Sequence, residues 1–274
     1  MKLAATLFIP FLSSLVAAAT IPTTFDAFVP TNVPDFAQAA NLSAEYVPFA
    51  ELNALFLEAD KKFNVSHAYA STLNTPAILN HNIRTIFYAY ALLHTGFPSQ
   101  NPSIGRISSS ELVDRIYLSA MLHDLGATKN KEALQHLAHT TSFEIFGSFL
   151  AHDHLKSTAY PGVGAPIVGD VIQSTTLHTT FVFTAGNSSA AAQLLHICTS
   201  FDVIGWDVFG KGFLDAFWHN QTIAEIEKAY PRREFPVEFS GFIRETGENP
   251  DALINHTVPP IDPADIAAVT TLVR

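Results

Sequence analysis

Met121-Leu122-His123-Asp124-Leu125-Gly126 sets an imidazole beside a carboxylate, two groups that can share a proton or hold a divalent cation. Leu112, Ile116, Ala120 and His123 recur at three- and four-residue steps, the period of one helical face. His123 therefore falls on a buried face, in the last turn of a helix. Ser109 and Ser110 offer N-cap hydroxyls ahead of that stripe, and Gly126 reads as a left-handed stop behind it. A buried carboxylate without a partner is costly, and a metal ion is one of the few partners that suits Asp and His together. The plainer account is a satisfied core histidine beside a solvated helix end.

Other chemistry-bearing residues sit on apolar stripes. Asp202 closes the face of Ala191, Leu195 and Cys198, and an aspartate there needs a cation or a hydrogen-bond network. His81 sits in the first turn of a helix over Asn80–Leu93, in phase with Thr85, where a half-exposed histidine is the simple reading. His178 continues the phase of Ile167, Val171 and Ser174. It titrates near neutrality and suits proton transfer, and a core histidine bonded to a carbonyl fits equally well. Glu144 stands three residues after Thr141, the spacing of a capping box, which competes with any chemical role. His152, Asp153 and His154 look like a ligand cluster, but adjacent helical residues point apart and the helix dipole accounts for them. Cys198 is the only cysteine, so no internal disulfide forms, and an inert buried thiol is expected.

The elements that must position these residues are helices. The 274 residues are 48% hydrophobic and 15% charged, enough for one sizeable core. A formal charge of −10 and the lack of a basic stripe argue against nucleic acid. Lys2, the apolar run Leu3–Val16 and Ala17-Ala18-Ala19 predict a secretory signal over residues 1–19, and hence an exported chain. Sequons begin at Asn41, Asn64, Asn187, Asn220 and Asn255. No later apolar run is long enough for a membrane span. Residues 20–48 read as an irregular arm that wraps the domain, 49–258 as the helical domain, and 259–274 as a loosely held, Pro-rich tail. A first helix is expected over Ala50–Phe63, with shorter pieces over His67–Asn80. Thr222 and Glu225 form a second capping-box pair opening a helix that Pro231 stops. Strand-like alternation is scarce, so the fold class is all-α, a compact multi-helix bundle.

With His81, His123-Asp124 and Asp202 placed, the pattern resembles the HD superfamily of metal-dependent enzymes. Leu79-Asn80-His81-Asn82-Ile83-Arg84 is similar to the Asn-His-Ser-x-Arg opening of the fungal cyanamide hydratase family, with Asn82 where that family carries Ser. Tyr117–Gly126 resembles its doublet helix, and Ser142-Phe143-Glu144-Ile145-Phe146-Gly147 its Ser-Phe-Glu-x-x-Gly block. Ala229-Tyr230-Pro231-Arg232, followed by Phe239 and Glu245, is similar to its C-terminal signature. The match runs from about Thr75 to His256, and combined motifs are far more specific than single words.

The resemblance implies an HD-type bundle around a buried metal site. His81, His123, Asp124 and Asp202 would hold Zn2+ (or Fe2+ or another divalent ion), with one position left for water. The reaction implied is hydration of a small nitrile such as cyanamide to urea, through a metal-bound hydroxide. His178 would then transfer protons or orient substrate, and Glu144 would support a ligand histidine. An HD-type phosphohydrolase is the alternative, with Lys129 and Lys131 as the nearest cations in sequence. A secreted binding protein without activity is the third reading. The expected partner is a small-molecule substrate; nucleic acid and membrane are not expected, and a homo-oligomer is compatible with the sequence.

Overall fold

A computed structural model describes residues 21–40, 42–97, 102–180, 186–247 and 262–274. The signal-like segment and the sequons at Asn41 and Asn255 lie outside them. The protein is all-α, as its patterning predicts. The elements run β1 Thr24–Asp26, β2 Phe28–Pro30, α1 Val33–Ala40, α2 Phe49–Leu73, α3 Pro76–Thr95, β3 Arg106–Ser108 and α4 Ser109–Leu122. Then come α5 Phe143–Thr158, α6 Ala165–Leu177, β4 Asn187–Ser189, α7 Ala190–Ile204, α8 Asn220–Ala229, α9 Phe235–Gly247 and α10 Pro263–Ala268.

Two helices make the centre. Every side chain of α3 from Ile86 to Leu93 is buried, as is every one of α7 from Ala190 to Val203. A helix that is apolar on all sides belongs inside a bundle. Around them pack α2, α4, α6 and α8, with α5 laid across α6 and the turn that follows α4. Thr75 caps α3 and Pro76 occupies its first turn, a position where its missing N–H is no loss. His81 consequently lies in the second turn and is buried, whereas a start at Asn80 would have left it near solvent.

Several boundaries depart from the sequence reading. α2 is two helical pieces that meet at a kink at Phe63 (φ −119°, ψ 27°), where the first helix was expected to end; the second piece runs on to Leu73 as one helix, with Ser66, Ala70 and Leu73 continuing the buried phase of Phe56, Ala59 and Phe63. The arm does wrap, but as two short strands followed by α1. β1 pairs antiparallel with β3 (Phe25 opposite Ile107) and β2 with β4 (Val29 opposite Ser188). Each partner strand leads straight into a capping serine: Ser108 accepts from Glu111 N at 3.2 Å, and Ser189 from Ala192 N at 3.1 Å. The arm thereby clamps the start of α4 and of α7. Thr222 and Glu225 form no capping box. Thr222 bonds Val47, and Glu225 accepts from Phe49 N and the Tyr46 hydroxyl, pinning the arm's end; His219 caps α8 instead.

The tail is docked rather than loose. Ile266 and Leu272 are buried, Trp206 Nε1 donates to Leu272 O at 2.6 Å, and Arg232 Nε donates to Val269 O at 3.1 Å. Pro263 opens a short helix, α10, at its first turn. Among the described residues no helix is long and apolar enough to cross a membrane.

Candidate metal centre

The ends of α4 and α6 build the site together with α3. His123 is the residue that ends α4 and His178 the one that ends α6. Each turns Nδ1 back onto the carbonyl three residues earlier: His123 to Ala120 O at 2.8 Å, His178 to Thr175 O at 2.7 Å. A carbonyl only accepts, so Nδ1 carries the hydrogen and Nε2 keeps a lone pair in both rings. His81 is fixed similarly, with Nδ1 2.6 Å from Asp202 Oδ2. Three imidazoles therefore present bare Nε2 atoms to one interior space.

Asp124 completes that space. His81 Nε2 and His123 Nε2 lie 3.2 Å apart, and Asp124 Oδ2 is 3.2 Å from His123 Nε2 and 3.6 Å from His81 Nε2. A tetrahedral ion with bonds of about 2.0–2.1 Å would space its ligands about 3.3–3.4 Å apart. The triangle matches one face of such a tetrahedron. All three residues are buried, and neither Asp124 oxygen receives a hydrogen bond. Two lone pairs and an ionised carboxylate face one another with no donor among them, an arrangement that calls for a cation. His81, His123 and Asp124 thus fit a divalent metal.

The electrostatics agree. Burial opposes the charge on Asp124, but the imidazoles of His123, His178 and His81 outweigh it and hold its carboxyl well below the usual range. Burial lowers the pKa of His81 despite the neighbouring Asp202 and Asp124, keeping the ring neutral as a ligand must be. For His178 burial acts downward, yet the Asp124 carboxylate, whose Oδ1 is 3.6 Å from Nε2, raises the pKa on balance.

Asp202 is placed differently from the ligand set implied by resemblance. Both of its oxygens are committed: Arg84 grips them with Nε at 2.9 Å and Nη2 at 2.8 Å, Arg232 Nη1 donates at 2.8 Å, and His81 Nδ1 takes the remaining approach. It stands behind His81, fixing the tautomer and orientation of the ring, and outside the triangle. Its carboxyl is held well below the usual range: burial works against the charge, and the two guanidinium groups outweigh it.

Glu144 is no cap. Ser142 caps α5, accepting from Ile145 N, while Glu144 is buried and accepts from Thr179 Oγ1 at 2.6 Å, next to His178. Its charge contributes to raising the pKa of His178. His152 and Asp153 are exposed, whereas His154 turns inward to Ser66 Oγ at 2.9 Å and stacks on Tyr69 at 4.3 Å, so the three form no ligand cluster. Lys129 is exposed and paired with Glu245, and Lys131 is exposed.

Arg84 and Arg232 are the residues the sequence reading left without a role. Arg84 lies three residues after His81 on a helix with no polar face, a signal that it must meet a buried anion. Gly126 also has a different reason from the expected left-handed stop. A Cβ there would fall 1.9 Å from Phe143 O and 2.8 Å from Gly147 N, so only glycine lets α5 press its backbone against the doublet. No protein-family model matches the chain, and no curated protein matches it either.

Proposed function

We propose that the protein is a metal-dependent hydratase that adds water to a small nitrile such as cyanamide, giving urea. The observation that carries this reading is the donor-free convergence of His81 Nε2, His123 Nε2 and the Asp124 carboxylate. A divalent cation held by these three, with Zn2+ the first choice for two imidazoles and a carboxylate, would acidify water and polarise the nitrile.

The chain supplies the remainder. Asp202, clamped by Arg84 and Arg232, keeps His81 in the ligating tautomer. His178 Nε2, with Nδ1 locked on Thr175 O, is placed to take a proton from the attacking water and return it to the nitrile nitrogen. The addition then conserves protons: oxygen bonds to carbon, and both water hydrogens end on the product. Glu144 stands beside His178 and favours its charged form. A buried site suits a substrate of a few atoms, and positioning does most of the work for so small a molecule.

Phosphate-ester hydrolysis is less well supported. It needs cations aimed at the metal, and Lys129 and Lys131 lie at the surface while Arg84 and Arg232 are paired with Asp202 behind His81. We also propose export, from the signal-like segment and from exposed sequons at Asn64 and Asn187. Asn220 is less available, since its side chain bonds Arg274. The test of the main reading is urea release from cyanamide by the zinc-loaded protein, with Asp124→Ala as control. Rates indistinguishable between the two would overturn it, and a purified protein without stoichiometric metal would point to a binding role.

A further inference from the structure

Among the described residues, six aromatic rings, both ligand histidines included, form a closed chain of pairwise contacts. His81 to His123 is 5.2 Å between centroids and His123 to His178 is 4.8 Å, which makes the polar half. The other half is hydrocarbon: His178 to Phe143 at 5.7 Å, Phe143 to Phe242 at 5.2 Å, Phe242 to Phe239 at 6.0 Å, and Phe239 back to His81 at 6.1 Å. Phe143 and Phe239 are buried, and Phe242 is the part-exposed member of the circuit.

The nearby positive charges are walled off. Phe235 stacks on His81 at 4.5 Å, and the Arg84 and Arg232 guanidinium carbons sit over that same ring at 5.2 and 5.5 Å. An anion arriving between the phenyl rings would lose hydration against their hydrocarbon. A small neutral molecule with a lone pair loses little, and its size is limited by ring contacts.

We propose that Phe143, Phe239 and Phe242 are specificity-determining residues that restrict the centre to small, uncharged, weakly hydrated substrates, with Phe242 setting the size limit. This deepens the hydratase reading and rests on it for the identity of the substrate class. The test uses the full chain loaded with Co2+, whose visible absorption reports ligands at the metal without any turnover. Wild type, Phe242→Ala and Phe242→Leu are titrated with imidazole under mildly alkaline conditions, where it is neutral, and separately with inorganic phosphate. Imidazole is expected to bind Phe242→Ala at least about tenfold more tightly than wild type, with Phe242→Leu between, because pocket volume of a methylene or more is worth that much. Phosphate is expected to leave all three spectra unchanged. Equal imidazole affinity across the three proteins, or phosphate binding to wild type more tightly than imidazole, would overturn the proposal. Failure of wild type to release urea from cyanamide would instead strike the hydratase reading and leave the size ordering intact.

Discussion

Two aspartates are buried to the same degree and live in opposite circumstances. Asp202 receives donors from Arg84, Arg232 and His81, so every lone-pair direction is used. Asp124, on the other side of the same imidazole, receives none. Asp202 is held ionised by fixed guanidinium charges, whereas Asp124 faces imidazole nitrogens and no guanidinium. A saturated carboxylate holds its neighbours in place. An unsaturated one is left for something that comes and goes. The pair shows why burial and residue type alone cannot tell an open carboxylate from a saturated one.

Asp124→Ala should have the largest effect and would break the comparison if it did not. Metal content by elemental analysis should fall from about one ion per chain to near zero, while the metal-free protein should melt close to wild type. His178→Gln should keep the metal and lower turnover of cyanamide by roughly 10²–10⁴-fold, the usual range for a proton-transfer group. Loss of metal in that variant would place His178 among the ligands. Asp202→Asn should do the reverse of Asp124→Ala in the metal-free protein. It leaves two buried guanidinium groups without their anion and should cost about 3–5 kcal/mol in denaturant unfolding, with metal affinity down by roughly 10–100-fold.

A smaller effect concerns acid. His196 is buried behind the site, its Nδ1 donating to His178 O at 2.8 Å, and burial pushes its pKa down to about 4. The unfolded chain takes up that proton near pH 6.5, so stability is full above about 6.5 and falls as pH drops toward about 4. At pH 5 the loss should be about 2 kcal/mol. His196→Gln should flatten that part of the profile of melting temperature against pH, and an unchanged slope would remove His196 as the cause.

Much of this was legible from one sequence. The stripe Leu112-Ile116-Ala120-His123 located the doublet at a buried helix end, and the phase of Ile167-Val171-Ser174 located His178. Helical periodicity carries such information because it reports which face meets the core. What it does not carry is the partner across the interface. Asp202 announced a need for a cation, and periodicity offered no means to choose between a metal and the guanidinium groups of Arg84 and Arg232. Capping-box spacing misled twice for the same reason. Glu144 and Glu225 have the right separation from Thr141 and Thr222, yet Thr179 and the Phe49 backbone, far along the chain, win their carboxylates. A glycine after a helical stripe suggests a left-handed stop, whereas at Gly126 the missing side chain leaves room for another helix.

The order of synthesis gives the arm an awkward start. Phe28 leaves the ribosome about 160 residues ahead of Ser189, its strand partner, an interval of roughly 10–30 s at ordinary elongation rates. For that time β2 has no strand partner, because β4 and the α7 that follows it have yet to be made. Nascent chains should therefore be most prone to sticking together just before residue 189 emerges, and late assembly should be the slow phase of folding.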